Sequence, residues 1–287
     1  MDFHKVSLSD RDWIRAVMAP TGHKSCEESF ANLYTWGNEF GMEIACVENT
    51  LVCRLGNRYS LPIGLNREAA LQKVMELYPT KRVEMFGIEA EDFPFLEKHF
   101  NHILGFYDRR WSDYLYYREK LSDLTGKKLA AKRNHINAFM RDCPDWSVSP
   151  ITPENLADVI SFHQRWTEER EMSENLEEEL AAAEIELSRF FDMGLDGLIL
   201  YVGEEIVGYS YGEPITDQTY CVHVEKALAS VRGAYPMINR EFVRAYCGGY
   251  TYINREDDSG EMGLRKAKMS YAPALVVHKY EAEMEKK

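Results

Sequence analysis

Between Thr219 and Lys226 the residues alternate as a strand does. Tyr220, Val222 and Val224 fall on one face, and Cys221, His223 and Glu225 on the other. A histidine and a carboxylate two residues apart can serve as a general base with its orienting partner, or hold a substrate amine. The bland alternative is a polar strand face hydrogen-bonded to neighbouring helices. Nearer the C-terminus, Asn254-Arg255-Glu256-Asp257 closes a short strand and Gly263-Leu264-Arg265-Lys266-Ala267-Lys268 follows. Loops after strand ends are where α/β folds hold ligands. Arg255, Arg265 and Lys268 suit a phosphate or carboxylate, and Arg265 and Lys268 share a face of a short helix. A basic run, Lys127-Lys128 and Lys132-Arg133, is a second candidate contact for a polyanion; the alternative is a solvated helix face.

Other chemistries lack support. Gly208-Tyr209-Ser210-Tyr211-Gly212 has the nucleophile-elbow spelling, but that chemistry needs a strand, a sharp turn and then a helix. Here an alternating run continues to Glu213-Pro214, so a strand with glycines in it is the expectation. P-loop, dinucleotide-binding and zincin motifs do not occur. Glu256-Asp257-Asp258-Ser259-Gly260 fails the spacing of a calcium loop and reads as an acidic turn. The six cysteines include no C-x-x-C pair, so no metal is expected and the thiols read as reduced. The net charge of −13 argues against non-specific coating of nucleic acid, although it leaves room for a local basic groove. No transmembrane segment or signal peptide is read, and a cytoplasmic location is expected.

The elements that must position these residues repeat in order along the 287 residues. In the second half Trp146–Ile151 reads as a strand, and Thr152 caps a helix with Pro153 at its first position. A second helix carries Leu176, Leu180, Ala183, Leu187 and Phe190 at helical period, and the nine glutamates of 168–186 lie largely off that stripe. Strands follow at Gly197–Val202, Ile206–Pro214 and Thr219–Lys226. A helix over Ala234–Cys247, a strand at Tyr250–Asn254, a helix over Met262–Met269 and a last strand at Ala274–Tyr280 complete the half. The first half shows a similar order, with Ser9 capping a short helix and one long strand over Ile103–Tyr117. The division is therefore an N-terminal unit over 1–125, a connecting helix over 126–144, and a C-terminal unit over 145–287 carrying the site.

His223-Val224-Glu225-Lys226-Ala227, Gly233-Ala234-Tyr235 opening a helix with Asn239 and Phe242, Asn254 through Gly260, Gly263 through Lys268 and Ser270-Tyr271-Ala272-Pro273 together resemble the phosphatidylglycerol lysyltransferase C-terminal domain family. Asp113-Tyr114-Leu115-Tyr116, Gly126-Lys127-Lys128, Lys132-Arg133-Asn134 and Asn137-Ala138-Phe139 fit the same family. The resemblance implies an α/β (α+β) fold of two tandem GNAT-like acyltransferase units, each a mixed, mostly antiparallel sheet flanked by helices. It implies transfer of an aminoacyl group from charged tRNA to an amine or hydroxyl of a small molecule or peptide, with no resident cofactor. In that reading Glu225 and His223 are catalytic. Arg255, Asn254, Arg265, Lys268, Tyr235, Asn239, Gly233 and Ala234 bind substrate, and Lys132 and Arg133 contact the tRNA backbone. Acyl-CoA is an alternative donor, but Ser230-Val231-Arg232-Gly233-Ala234-Tyr235 breaks the pyrophosphate signature at its first and last positions. A non-enzymatic module that binds an anionic ligand is a further alternative.

Overall fold

The computed structural model describes residues 1–170 and 173–287; Glu171, part of the glutamate-rich stretch, lies outside them. Its strands, in chain order, are β1 (His4–Lys5), β2 (Glu43–Cys46), β3 (Leu51–Leu55), β4 (Arg58–Ser60), β5 (Arg82–Ile88), β6 (Phe100–Phe106) and β7 (Asp113–Tyr117). Then come β8 (Trp146–Pro150), β9 (Asp196–Val202), β10 (Glu205–Pro214), β11 (Thr219–Ala227), β12 (Tyr252–Asn254), β13 (Leu275–Val277) and β14 (Tyr280–Lys286). They build two seven-stranded sheets, ordered β1-β2-β3-β4-β5-β14-β6 and β13-β7-β12-β11-β10-β9-β8. Among the described residues only β4–β5 and β11–β12 pair in parallel; the other neighbours are antiparallel. The fold is thus α/β with two mixed, mostly antiparallel sheets flanked by helices, as expected.

The sheets trade strands across the bounds at 125 and 145. β7 comes from the first half and lies between β12 and β13, whereas β14, the last strand, lies between β5 and β6. Two expected elements are corrected by this exchange. Ile103–Tyr117 is not one strand: β6 and β7 belong to different sheets, and Asp108 breaks the run by accepting the Arg110 N–H at 3.0 Å to start a single 3-10 turn. Ala274–Tyr280 is likewise split into β13 and the start of β14. Each run is apolar enough on both sides of its break to read as continuous.

Caps are displaced as well. Asn155, not Thr152, is the N-cap of the helix Leu156–Glu168, and its Oδ1 accepts the Thr152 N–H at 2.8 Å, which leaves Pro153 in the preceding turn. Ser7, not Ser9, begins the first helical segment, its N–H donating to Asp10 Oδ2 at 2.8 Å.

The apolar stripe of the helix Glu174–Ser188 is buried as its period requires: Leu180, Ala183 and Leu187, with Phe190 beyond it, join a core that also holds Ile14, Phe30, Phe162, Tyr209 and Tyr211. That core takes residues from both halves. A second core packs the helix Ala234–Tyr246 on the other face of the second sheet, through Met237, Ile238 and Phe242. A third core lies under the helices Arg67–Leu77 and Phe93–His99.

The glycines of the Gly208–Gly212 run answer to strand geometry. Tyr211 pairs with Val224 but Gly212 pairs with Val222, so His223 is the extra residue of a β-bulge. A Cβ at Gly212 would collide with the Cys221 carbonyl oxygen. The bulge needs glycine there, and Ser210, fully buried, is no exposed nucleophile.

The exchange gives a test. Deleting Tyr280–Lys287 removes a central strand, unburies the partners of Ala282 and Met284, and leaves β5 and β6 with open edges. The truncated chain is expected to aggregate or to lose its cooperative melt in circular dichroism. A monomeric product with a wild-type melting curve would contradict the importance of the exchanged strand.

Candidate functional site

β11 and β12 run parallel only from Thr219↔Tyr252 to Cys221↔Asn254. Beyond that point β11 continues to Ala227 while β12 ends, so this edge of β11 has no strand partner. A cleft of about 1140 Å³ opens there. Its walls come from both halves: Trp36, Phe40, Phe86 and Tyr107 face Trp166, Tyr235 and Tyr271. Cavities of this size with aromatic walls and a few placed polar groups are the usual form of a small-molecule site.

His223 and Glu225 both line this cleft. The bulge directs the His223 ring between two acids: Nδ1 lies 2.8 Å from Glu256 and Nε2 3.3 Å from Glu213, with the side chain 2% exposed. Burial opposes its charge, but neighbouring Cys221 and the Glu213 and Glu256 carboxylates outweigh burial and hold its pKa well above the usual histidine range. The ring is a buried imidazolium with both nitrogens engaged, so it is not a free general base. Glu225 is also engaged. Its Oε1 accepts from Arg255 Nη2 at 2.9 Å and its Oε2 from Asn239 Nδ2 at 2.7 Å. Arg255 in turn stacks its guanidinium 4.5 Å from the Tyr271 ring centroid and 5.5 Å from that of Tyr116. Its buried Nη1 has no hydrogen-bond partner among the described residues.

The other expected ligands divide. Lys268 lines the cleft but donates to the backbone carbonyls of Arg255 (2.6 Å) and Asp257, so it fastens the loop after β12. Arg265 lies outside the cleft lining and makes a two-pronged pair with buried Asp258, 2.8 Å on each prong. That pairing leaves no open fork for a phosphate. Asn254 is fully buried and donates to Lys24 O and Asp113 Oδ2, each at 2.8 Å. Arg133 ties down the Leu124 and Gly126 carbonyls rather than facing solvent polyanions. Gly233 adopts φ +86°, where a Cβ would strike the His135 carbonyl, and Ala234 is fully buried. The first turn of that helix is packed against the helix Ala130–Asp142, and neither residue lines the cleft. Tyr235 does line it, its hydroxyl accepting from Arg170 at 3.4 Å.

Two cleft cations stand apart. Lys132 sits 4.0 Å over the Tyr271 ring and has no hydrogen bond or ion pair among the described residues. Burial and the neighbouring Arg255 guanidinium push its pKa below the usual lysine value. Arg170 rests 4.4 Å over Trp166 and has no carboxylate partner among the described residues; its Nε is buried and unmatched. The sequence points to Lys132 but not to Arg170, which lies two residues past the helix Leu156–Glu168 and has no motif of its own. Its signal was a lone cation after an aromatic at i−4, Trp166. By contrast the cleft's Lys226 is answered by Glu179, and Lys279 by Asp113 at 2.8 Å and Glu27 at 3.2 Å. Cys221, His223 and Glu256 place three metal-capable donor atoms within 4.8 Å of one another.

The chain matches, over residues 18–283, the family model described as phosphatidylglycerol lysyltransferase, C-terminal. A crystal structure of a conserved protein of unknown function from Bacteroides thetaiotaomicron is 36% identical, with a TM-score of 0.91 over 99% of this chain and 100% of that one. The C-terminal domain of a putative lysylphosphatidylglycerol synthetase from Agrobacterium fabrum is 13% identical (TM-score 0.64; 96% and 92% of the two chains). L-PGS from Bacillus licheniformis is 15% identical (TM-score 0.63; 95% and 91%). Both share the fold. A curated relative, the uncharacterised protein MYCGA3080 of Mycoplasmoides gallisepticum, is 25% identical over 170 residues, 59% of this chain and 55% of that protein. The chain spans about half the length of that curated relative.

The crowding of acid behind the cleft has a measurable effect. Burial raises the pKa of Glu186, which accepts the Tyr211 hydroxyl at 2.7 Å, to about 7. A raised carboxyl favours the folded state while protonated, so this contribution is lost as pH climbs from about 4.5 through 7. Glu186→Gln is expected to flatten that fall and to stabilise the protein at pH 8 by on the order of 2–3 kcal/mol. Urea melts of both proteins from pH 4 to 8 measure it; parallel curves would refute the assignment.

Proposed function

The chain belongs to the phosphatidylglycerol lysyltransferase C-terminal family, and from that premise we propose that it transfers an aminoacyl group from charged tRNA to a small amine or hydroxyl acceptor. Family membership supports an acyltransferase-like activity in the broad sense. Among the described residues no helix is long and apolar enough to cross a membrane. The observation that carries the finer reading is the cleft where β11 and β12 part, with Lys132 and Arg170 beside it and, among the described residues, without acid partners.

In this reading the donor ester enters the cleft with its negative charge toward Lys132 and Arg170. Desolvated cations over aromatic faces bind anions more strongly than surface cations do. The unpaired edge of β11 offers backbone N–H groups to the ester carbonyl as charge develops on its oxygen. The acceptor attacks the carbonyl carbon, and the tRNA hydroxyl leaves with a proton. Glu225 is a positioning residue: it holds Arg255 and Asn239 in place, and rate arises mainly from alignment. Acidic cleft residues such as Asp257 face the donor's ammonium group, which a simple acyl donor lacks. Acyl-CoA is the weaker donor on this view, because the helix turn that would cradle its pyrophosphate is packed against the His135 carbonyl.

The test is transfer of radiolabelled amino acid from a charged tRNA pool to a metabolite-sized acceptor library, with acetyl-CoA in parallel. Lys132→Ala and Arg170→Ala are each expected to raise the half-saturating donor concentration about tenfold or more. Glu225→Gln is expected to lower kcat. Turnover with acetyl-CoA and none with charged tRNA would replace the proposal, and unchanged donor affinity in both cation variants would remove its basis.

A further inference from the structure

The donor geometry behind the cleft points to a zinc site, and we propose that Cys221, His223 and Glu256 bind one Zn²⁺ and leave its fourth position open to the cleft that His223 and Glu256 line. The three donor atoms already outline one face of a tetrahedron. Cys221 Sγ lies 3.6 Å from His223 Nδ1 and 3.8 Å from Glu256 Oε1. Around a tetrahedral zinc, with bonds of about 2.3 Å to sulfur and about 2.0–2.1 Å to nitrogen or oxygen, the sulfur–nitrogen and sulfur–oxygen edges are both about 3.6 Å. The third edge, His223 Nδ1 to Glu256 Oε1, is 2.8 Å, where the metal requires about 3.4 Å. A proton holds that pair together now, and a metal would take the proton's place.

The surroundings suit the metal. With Nδ1 on zinc, His223 would donate its Nε2–H to Glu213, 3.3 Å away and fully buried, which is the carboxylate–histidine–metal arrangement that fixes a ligand's tautomer. Asn32 Nδ2 donates to Glu256 Oε1 at 3.2 Å and so orients a second ligand. One thiolate, one imidazole and one carboxylate are a donor set for zinc rather than for magnesium or calcium. Binding would release the Cys221 thiol proton and the proton between His223 and Glu256, with no redox change. Such a zinc would clasp β11 to the loop after β12. The inference rests on this geometry alone, and stands or falls apart from the acyl-transfer reading.

The test uses the full chain. The purified protein, dialysed against chelator, is titrated with Co²⁺ and then with Zn²⁺ under reducing conditions. Expected are one equivalent of cobalt with intense tetrahedral ligand-field bands and thiolate-to-cobalt charge transfer, displacement by zinc, proton release, and a higher Tm with zinc. Cys221→Ser and Glu256→Gln should each weaken binding about a hundredfold or more, and Glu213→Gln by about 10–100-fold. Cys46→Ser, at an exposed cysteine, should leave the titration unchanged. If Cys221→Ser fails to fold by circular dichroism, Glu256→Gln carries the test. Absence of thiolate charge transfer, or a cobalt spectrum intact in either ligand variant, would overturn the site.

Discussion

A buried imidazolium between two carboxylates organises this molecule. His223 reaches Glu213 on one side and Glu256 on the other, and each acid is tied further. Glu213 receives Arg15 Nη2 at 2.6 Å and the Ala31 N–H at 2.6 Å, both from the first half of the chain. Glu256 receives Asn32. Charges this deep are costly unless every partner is present, and losing one partner typically costs about 3–5 kcal/mol. The network therefore stabilises one arrangement of the two halves more sharply than apolar contact alone would. It also leaves both ring nitrogens of the cleft histidine engaged.

The same logic separates cations that build the site from cations that serve it. Arg255, Arg265, Lys268 and Lys279 are each answered by a protein carboxylate or carbonyl. Their neutralisation keeps the loop after β12 in one conformation beside the unpaired edge of β11. Lys132 and Arg170 rest instead on Tyr271 and Trp166. An aromatic face holds a cation without cancelling its charge, and among the described residues neither cation has an acid partner.

What could be read in the sequence was mostly local. Period-two alternation placed Cys221, His223 and Glu225 on one face, and period 3.6 marked the Leu180–Ala183–Leu187 stripe, because both patterns depend only on near neighbours. The expectation that Gly208–Gly212 is a strand with glycines rather than a nucleophile elbow is met by the bulge at Gly212. What could not be read was who answers whom. Arg265 and Arg133 look like free anion ligands until Asp258, Leu124 and Gly126 are placed next to them. No spacing connects Asp258 to Tyr114 or Glu213 to Arg15, which are 144 and 198 residues apart. The cleft walls escaped for the same reason, since Trp36 and Tyr107 meet Trp166 only through tertiary folding. The breaks at Asp108 and before β14 were hidden by apolar runs that continue through a change of sheet.

The place of β14 bears on how the chain is made. During synthesis the ribosome releases β5 and β6 long before the strand that must lie between them. The nascent first sheet therefore waits with a vacancy one strand wide until β14 emerges. Contacts between β14 and β5 join residues about two hundred positions apart, as in Arg82 with Glu283. Pairings of such long sequence separation form slowly, because the loop must close before they contribute. Until then the unpaired edges of β5 and β6 are a template for any passing extended segment.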